Sequence, residues 1–271
     1  MKIGLIAGGG QFPHLFARKA SESGYQVYAA GFHSETDPDL ETYVHRLQWF
    51  YLGQINRLVK FFKQNQISQA VMLGSIRKTN IFKDIRPDLT ALAFIAKNVR
   101  THDDSVLSAF ADLMMEQGIT IRPSTFLMPE LISPPGCWTR RKPDKAERRD
   151  MMQGWEICGE IGKMDIGQCV VISNGTILAV EAIDGTDETI LRGGRLSHDN
   201  GAVVIKRSQP TQDLRFDLPS SGCQTIETMH KAGATVLVLE AGRSISFDRS
   251  EMISLADRYH ITIMGYSDAP S

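Results

Sequence analysis

The sequence predicts an α/β fold in two parts: a Rossmann-like N-terminal domain with a parallel sheet, and a second, mixed α/β domain joined to it by a linker. Three observations predict it. The chain opens on an apolar run, residues 2–7, that ends in Gly8-Gly9-Gly10 and passes into a helix-like pattern over 12–23, which is the order strand, tight turn, helix. Apolar strand candidates then alternate with helical stretches, as parallel strands with crossover helices require. At 271 residues the chain is long for one domain of about 100–200 residues and comfortable for two.

In the first domain, strands are expected at 27–31, 49–52, 70–73 and 119–121, with helices near 55–65, 89–99 and 104–117. Pro129, Pro134, Pro135 and Gly136 then interrupt regular structure, and a basic run from Arg140 to Arg149 leads into a helix near 147–162. The first domain is therefore placed at 1–133, the linker at 134–150 and the second domain at 151–271. In the second domain, strands at 169–173 and 177–181 flank Asn174-Gly175, a strong hairpin signal. Further strands are expected at 203–206, 235–239 and 261–264, and helices at 186–194, 223–232 and 249–258.

A formal net charge of -1 argues against a surface built to bind nucleic acid. The four cysteines, Cys137, Cys158, Cys169 and Cys223, form no C-x-x-C pair and no zinc spacing, and read as reduced packing thiols. The opening is too short for a signal-peptide core, and no apolar stretch approaches the ~20 residues of a membrane span. A cytoplasmic location is expected.

Five segments carry groups suited to chemistry. Gly8-Gly9-Gly10-Gln11-Phe12-Pro13 places glycines between a strand and a helix start, where backbone can approach a phosphate or ribose. The dinucleotide fingerprint G-x-G-x-x-G is incomplete, and the second strand ends in Gly31-Phe32-His33 without an acid, so NAD is disfavoured. Thr101-His102-Asp103-Asp104 reads as metal or phosphate-water ligands, or as the cap and acidic first turn of the next helix. Glu181-Ala182-Ile183-Asp184-Gly185-Thr186-Asp187 reads as an anion site at a helix start, or as simple capping. Glu240-Ala241-Gly242-Arg243 follows an apolar strand, where α/β proteins collect ligands, with a structural Glu–Arg pair as the alternative.

The fifth segment is Lys206 and Arg207 followed by Gln212-Asp213-Leu214-Arg215-Phe216-Asp217-Leu218-Pro219. Read as extended, it puts Asp213, Arg215 and Asp217 on one face, with oxygen ligands for Mg²⁺ and a guanidinium for phosphate. The alternative is an ion-paired strand facing solvent. Gly222 and Thr225 open another helix able to hold a second phosphate.

Taken in order, Ile6-Ala7-Gly8-Gly9-Gly10-Gln11-Phe12-Pro13, His102-Asp103-Asp104, Asp165-Ile166-Gly167-Gln168, Ala179-Val180-Glu181-Ala182 with Gly185-Thr186-Asp187, 212–219 and Glu240-Ala241-Gly242 resemble the LpxI-type UDP-2,3-diacylglucosamine pyrophosphatases of lipid A biosynthesis. The resemblance covers nearly the whole chain. It implies divalent-metal-dependent hydrolysis of the pyrophosphate to UMP and 2,3-diacylglucosamine 1-phosphate (lipid X), with water attacking the sugar-side phosphorus and the essential aspartate falling on Asp217; Mg²⁺ is the metal expected. From the residues themselves, Asp217, with Asp213 as helper and Arg215 beside them, is assigned to catalysis, and Asp217 and Asp213 to the metal. Gly8–Gly10, Gln11, Phe12, Pro13, Gly74 and Ser75 are assigned to the uridine half. Gly185, Thr186, Asp187, Lys206, Thr225, Glu240 and His102, Asp103, Asp104 are assigned to the remainder of the substrate.

The expected partner is a lipidated UDP-sugar, and a homodimer is expected from the resemblance alone. For the basic run at 140–149, a solvated connector is the favoured reading and peripheral contact with the inner membrane the other. The competing functions are a non-hydrolytic UDP-sugar binder or sensor and a hydrolase of a different nucleotide-sugar.

Overall fold

The structure is a computed structural model that describes residues 1–76, 85–98, 103–198, 201–210, 213, 215–216 and 218–268; for 95, 97–98 and 103–105 the description stops at the backbone. By internal contacts the chain divides into two compact units, Met1–Pro129 with Asp213–Asp217, and Glu130–Gln212 with Leu218–Ser271.

The first unit runs β1 (Lys2–Ala7), α1 (Phe12–Glu22), β2 (Gln26–Phe32), β3 (Arg46–Phe50), α2 (Ile55–Gln64), β4 (Gln69–Leu73), α3 (Leu89–Asn98), α4 (Asp103–Glu116) and β5 (Thr120–Arg122). Its sheet has the order β3-β2-β1-β4-β5, with every neighbouring pair parallel. Five of the six residues of β1 are buried, as a strand covered on both faces demands. The helix α2 turns Ile55, Leu58, Val59, Phe61 and Phe62 inward, one apolar stripe at helical spacing. These side chains join Phe50, Met114 and Ile119 in the core. The strand β3 starts three residues earlier than its apolar signal, because it is an edge strand and alternates Arg46 and Gln48 with apolar residues.

The second unit contains β6 (Gly136–Cys137), α5 (Lys145–Lys163), β7 (Cys169–Ser173), β8 (Thr176–Val180), α6 (Thr186–Ser197), β9 (Val203–Lys206), β10 (Ser220–Ser221), α7 (Cys223–Lys231), β11 (Val236–Glu240), β12 (Ile245–Ser246), α8 (Arg249–Arg258) and β13 (Thr262–Tyr266). The main sheet has the order β6-β13-β11-β9-β7-β8, parallel across β13, β11 and β9 and antiparallel elsewhere. The hairpin between β7 and β8 turns at Asn174 and Gly175, both at positive φ. Asp150 of α5 accepts from both of their backbone N–H groups at 2.7 and 2.8 Å, which anchors the turn to the helix beneath.

The stretch 134–150 is engaged with the second unit. Trp138 N donates to Ile263 O at 2.9 Å. Arg141 pairs with Glu147 at 2.6 Å and donates to Thr262 at 2.8 Å. Asp144 and Glu147 form a capping box at the start of α5. The interior thiols are packing groups: burial pushes Cys158 up to about 12 and holds Cys169 well above its ordinary value.

At the end of β1 the glycine turn lies against the end of β4. Gly9 N donates to Ser75 O at 2.8 Å and Ser75 N to Gly9 O at 3.1 Å. A Cβ on Gly74, whose φ is +91°, would stand 2.6 Å from Gly9 O, whereas one on Gly10, at φ +90°, meets nothing within 4 Å. Gly74→Ala should therefore cost about 2 kcal/mol or more of first-unit stability, and Gly10→Ala only ~1 kcal/mol. Urea unfolding of both variants checks this, and equal losses would show that the close approach imposes no constraint.

Candidate functional site

Parallel sheets collect ligands at the carboxyl ends of their strands, and the candidate residues of each unit gather there. In the first unit the strand order switches direction between β1 and β4. Here Gly8 N donates to Leu73 O at 2.8 Å, so the backbone N–H groups of Gly8 and Gly9 are spent joining the two strand ends. Gly10 and Gln11, together with His14, Arg18, Asp37 and Tyr43, line a polar cavity of about 440 Å³ at the first turn of α1. Phe12 begins that helix and Pro13 lies in its first turn. His14 stands 3.9 Å from Asp37 and edge-on to Tyr43. His14 and Arg18 were not singled out from sequence, although their i, i+4 spacing just after the glycines is the signal that marks them.

The segment at 213–217 also belongs to the first unit, and here the extended reading is corrected. Phe216 N donates to Asp213 O at 3.0 Å, which makes a turn. The Asp213 carboxylate accepts from its own neighbour's backbone, Arg215 N, at 3.0 Å, the local bond by which Asp competes with strand geometry. The Arg215 guanidinium then folds back on Asp213, with Nε at 2.9 Å and Nη2 at 2.6 Å from Oδ2, while Ser108 of α4 donates to the same oxygen at 3.0 Å. Burial raises the Asp213 carboxyl, but the bonds from Arg215 and Ser108 outweigh it and hold the group below its ordinary value.

Both Asp213 oxygens are therefore occupied by donors, a poor state for a Mg²⁺ ligand, which needs open oxygens. Among the described residues no group of three or more His, Cys, Asp or Glu could hold a metal. Asp217 and His102 lie outside the described residues, and Asp103 and Asp104 are described only as backbone in the first turn of α4.

In the second unit β8 and β9 flank β7 and run in the same direction, so Glu181 and Lys206 emerge at one edge beside Cys169. Both are buried. Lys206 Nζ donates to Ser220 O. Thr186, first residue of α6, donates to Glu181 Oε1 at 2.9 Å, while Glu181 Oε2 is buried with no hydrogen-bond partner. Burial raises the Glu181 carboxyl against the opposing pull of Thr186, Lys206 and the Gln168 backbone. Asp184, Gly185, Thr186, Asp187, Glu188, Lys206, Ser220, Gln224 and Thr225 line a cavity of about 380 Å³.

Two helix starts, those of α6 and α7, meet the lysine in this cavity and favour an anion there, while Asp184, Asp187 and Glu188 of the same wall oppose it. The Thr186 hydroxyl has one proton and gives it to Glu181, so it offers a ligand lone pairs only. Gln224 and Ser220 were not identified from sequence, since neither stands in a motif.

Glu240, at the end of β11, is held differently. Its Oε2 accepts from Ser208 N at 2.8 Å and from the Ser208 hydroxyl. Its Oε1 lies 3.9 Å from Arg207, which pairs with Asp268 at 2.7 Å and stacks over Trp155 at 4.4 Å. A Glu–Arg brace between strand and loop accounts for these contacts.

Fold and cavities together define a two-unit α/β protein with polar cavities at the strand carboxyl ends. Family models place it further. The LpxI N-terminal domain matches residues 2–131 and the LpxI C-terminal domain matches 134–264. The chain is 30% identical over 275 residues to the UDP-2,3-diacylglucosamine pyrophosphatase LpxI of Caulobacter vibrioides, covering 97% of each. This chain belongs to the LpxI family. Among solved structures, leucoanthocyanidin reductase with NADPH from Vitis vinifera superposes at TM-score 0.29 with 12% identity, over 55% of this chain and 41% of that one. A biotin carboxylase–ATP complex from Campylobacter jejuni gives TM-score 0.29 and 11% identity, over 72% and 42%. Likeness at that level carries no argument.

The Asp213–Arg215 pair gives a pH test. Asp213 titrates near ~3.9 when unfolded and lower in the fold. Its contribution is therefore present above that value and fades as pH falls through the folded pKa. Asp213→Asn should destabilise the first unit at about pH 7 and cost less at about pH 3. Urea midpoints at the two pH values check this, and an equal penalty at both would remove the ion pair as the cause.

Proposed function

We propose that this chain hydrolyses the pyrophosphate bond of UDP-2,3-diacylglucosamine, the compound in its relative's name, giving UMP and 2,3-diacylglucosamine 1-phosphate (lipid X) as a step of lipid A biosynthesis. The observation that carries the reading is the end-to-end match to the Caulobacter vibrioides protein of that name, 97% of both chains. The cavity that brings Lys206 to the helix starts at Thr186 and Thr225 supports it. Phosphoryl transfer needs positioning and charge neutralisation more than covalent chemistry, and a buried lysine between two helix starts suits a phosphate.

In this reading water adds to the sugar-side phosphorus, its P–O bond to UMP breaks, and UMP leaves with the bridging oxygen. Asp217 is the essential carboxylate, acting on the attacking water. The turn Gly8–Gly10 with the cavity at Gln11 and His14 takes the uridine half. Dependence on a divalent cation, Mg²⁺, is part of the proposal and rests on the charge of the diphosphate. Among the described residues no helix is long and apolar enough to cross a membrane. We place the protein in the cytoplasm, as a homodimer meeting its lipidated substrate at the inner membrane.

UMP release by purified protein from UDP-2,3-diacylglucosamine, with Mg²⁺ and with EDTA, tests the reading. Release should stop in EDTA and fall by on the order of 10²-fold or more in Asp217→Asn. Full activity in EDTA would remove the metal. Unchanged activity in the variant would remove Asp217 as the essential carboxylate. No release by the wild type would sink the pyrophosphatase reading.

A further inference from the structure

Inside the first unit, between the sheet and the helices α2, α3 and α4, lies a second cavity, of about 380 Å³. Its wall is almost wholly apolar: Phe32 and Met72 from the strands, Leu58 from α2, Phe94 from α3, and Leu107 and Phe110 from α4. The cavity is partly open, and a concave apolar wall left to water is costly unless something apolar covers it. The space is therefore shaped for an apolar ligand. Ala91, 1% exposed, is the smallest helix side chain in the wall. Its own helix exposes Leu89 and Leu92, at 84% and 49%, so apolar surface continues from the cavity wall along the outside of that helix.

We infer that this cavity receives one acyl chain of the substrate and that Ala91 sets the length of chain it accepts. The inference rests on the reading that the substrate is a diacylated UDP-sugar. At about 380 Å³ the cavity lies near the small end of ligand pockets, ~300–1,000 Å³, and suits one chain. Each methylene moved from water into such a wall tightens binding about fourfold, and a side chain projecting from position 91 excludes several of them.

The test pairs Ala91→Phe with wild type on UDP-2,3-diacylglucosamines bearing chains of about fourteen or about four carbons, and measures binding of a fluorescent long-chain fatty acid. Ala91→Phe should lower kcat/KM for the long-chain substrate at least about tenfold, leave the short-chain one within about twofold, and weaken fatty-acid binding in parallel. Equal effects on both substrates, with the fold intact by circular dichroism, would overturn the inference.

If wild type released no UMP from either substrate, the pyrophosphatase reading would fail, and fatty-acid binding would decide the cavity by itself. Saturable binding weakened by Ala91→Phe would uphold it, and no binding would overturn it. Should Ala91→Phe not fold, Phe110→Ala enlarges the same wall and should shift preference toward longer chains; an unshifted preference would overturn the inference.

Discussion

Parallel pairing of β1 with β2 and β4, and of β9 with β11, is the constraint from which the rest of both units follows. A parallel neighbour cannot be reached by a tight turn, so each connection crosses over, usually through a helix that covers a face of the sheet. Strands covered on both faces must be apolar along their length, and β9 and β11 are buried at every position. Polar groups then have one place to stand, the carboxyl edge, where each strand stops and the next helix offers its N-terminus. Glu181, Lys206 and Glu240 all occupy that edge of the second sheet. Lys206 is buried there because it is the last residue of a strand whose other members are core.

What separates a brace from a binding group at that edge is the fate of each oxygen and proton. Glu240 has two donors from Ser208 on one oxygen and Arg207 near the other, so its burial is compensated and it holds the loop to the strand. Glu181 is compensated on one oxygen only. An unpaired carboxylate oxygen away from water is costly, and the raised Glu181 carboxyl registers that cost. Thr186 spends its proton on this group, so the lone pairs facing the cavity are set by a residue behind its wall. In the first unit the Asp213–Arg215 pair goes the way of Glu240: two opposite charges that a strand would have displayed together to a ligand are turned on each other.

Most of the architecture was legible in the sequence because it follows from periodicity. The strand-glycine-helix opening, the Asn174-Gly175 hairpin and the amphipathic helices each leave a local signature, and the parallel sheet follows from their alternation. Polar edge strands and two-residue pairings do not: β3 hides behind Arg46 and Gln48, and β10 with β12 is too short to repeat. The site was legible in part. Gly185, Thr186, Lys206 and Thr225, read separately from a turn, a strand end and a helix start, come to one cavity. The face of Asp213 and Arg215 was misread because alternation presumes an extended backbone, and an aspartate able to bond the N–H two residues on forms a turn instead. The apolar cavity left no trace in the sequence, since the residues lining it are the types that fill a core and only their failure to meet distinguishes them.

The contrast between the cavity at Lys206 and the apolar one among α2, α3 and α4 has a physical reason beyond fold. A ligand that is a diphosphate at one end and hydrocarbon at the other sets opposite demands on its container. Phosphate oxygens need donors and positive charge, and a wall that supplies these surrenders the water exclusion that makes hydrocarbon bind. One cavity cannot be optimised for both. In the second unit Lys206 and two helix starts stand in a wall that also holds Asp184, Asp187 and Glu188; in the first, side chains of a sheet face and of the helices across it line a space with almost no polar group. Each wall follows from its place in its unit: strand and helix ends carry the polar groups, and a sheet face covered by helices carries the apolar ones.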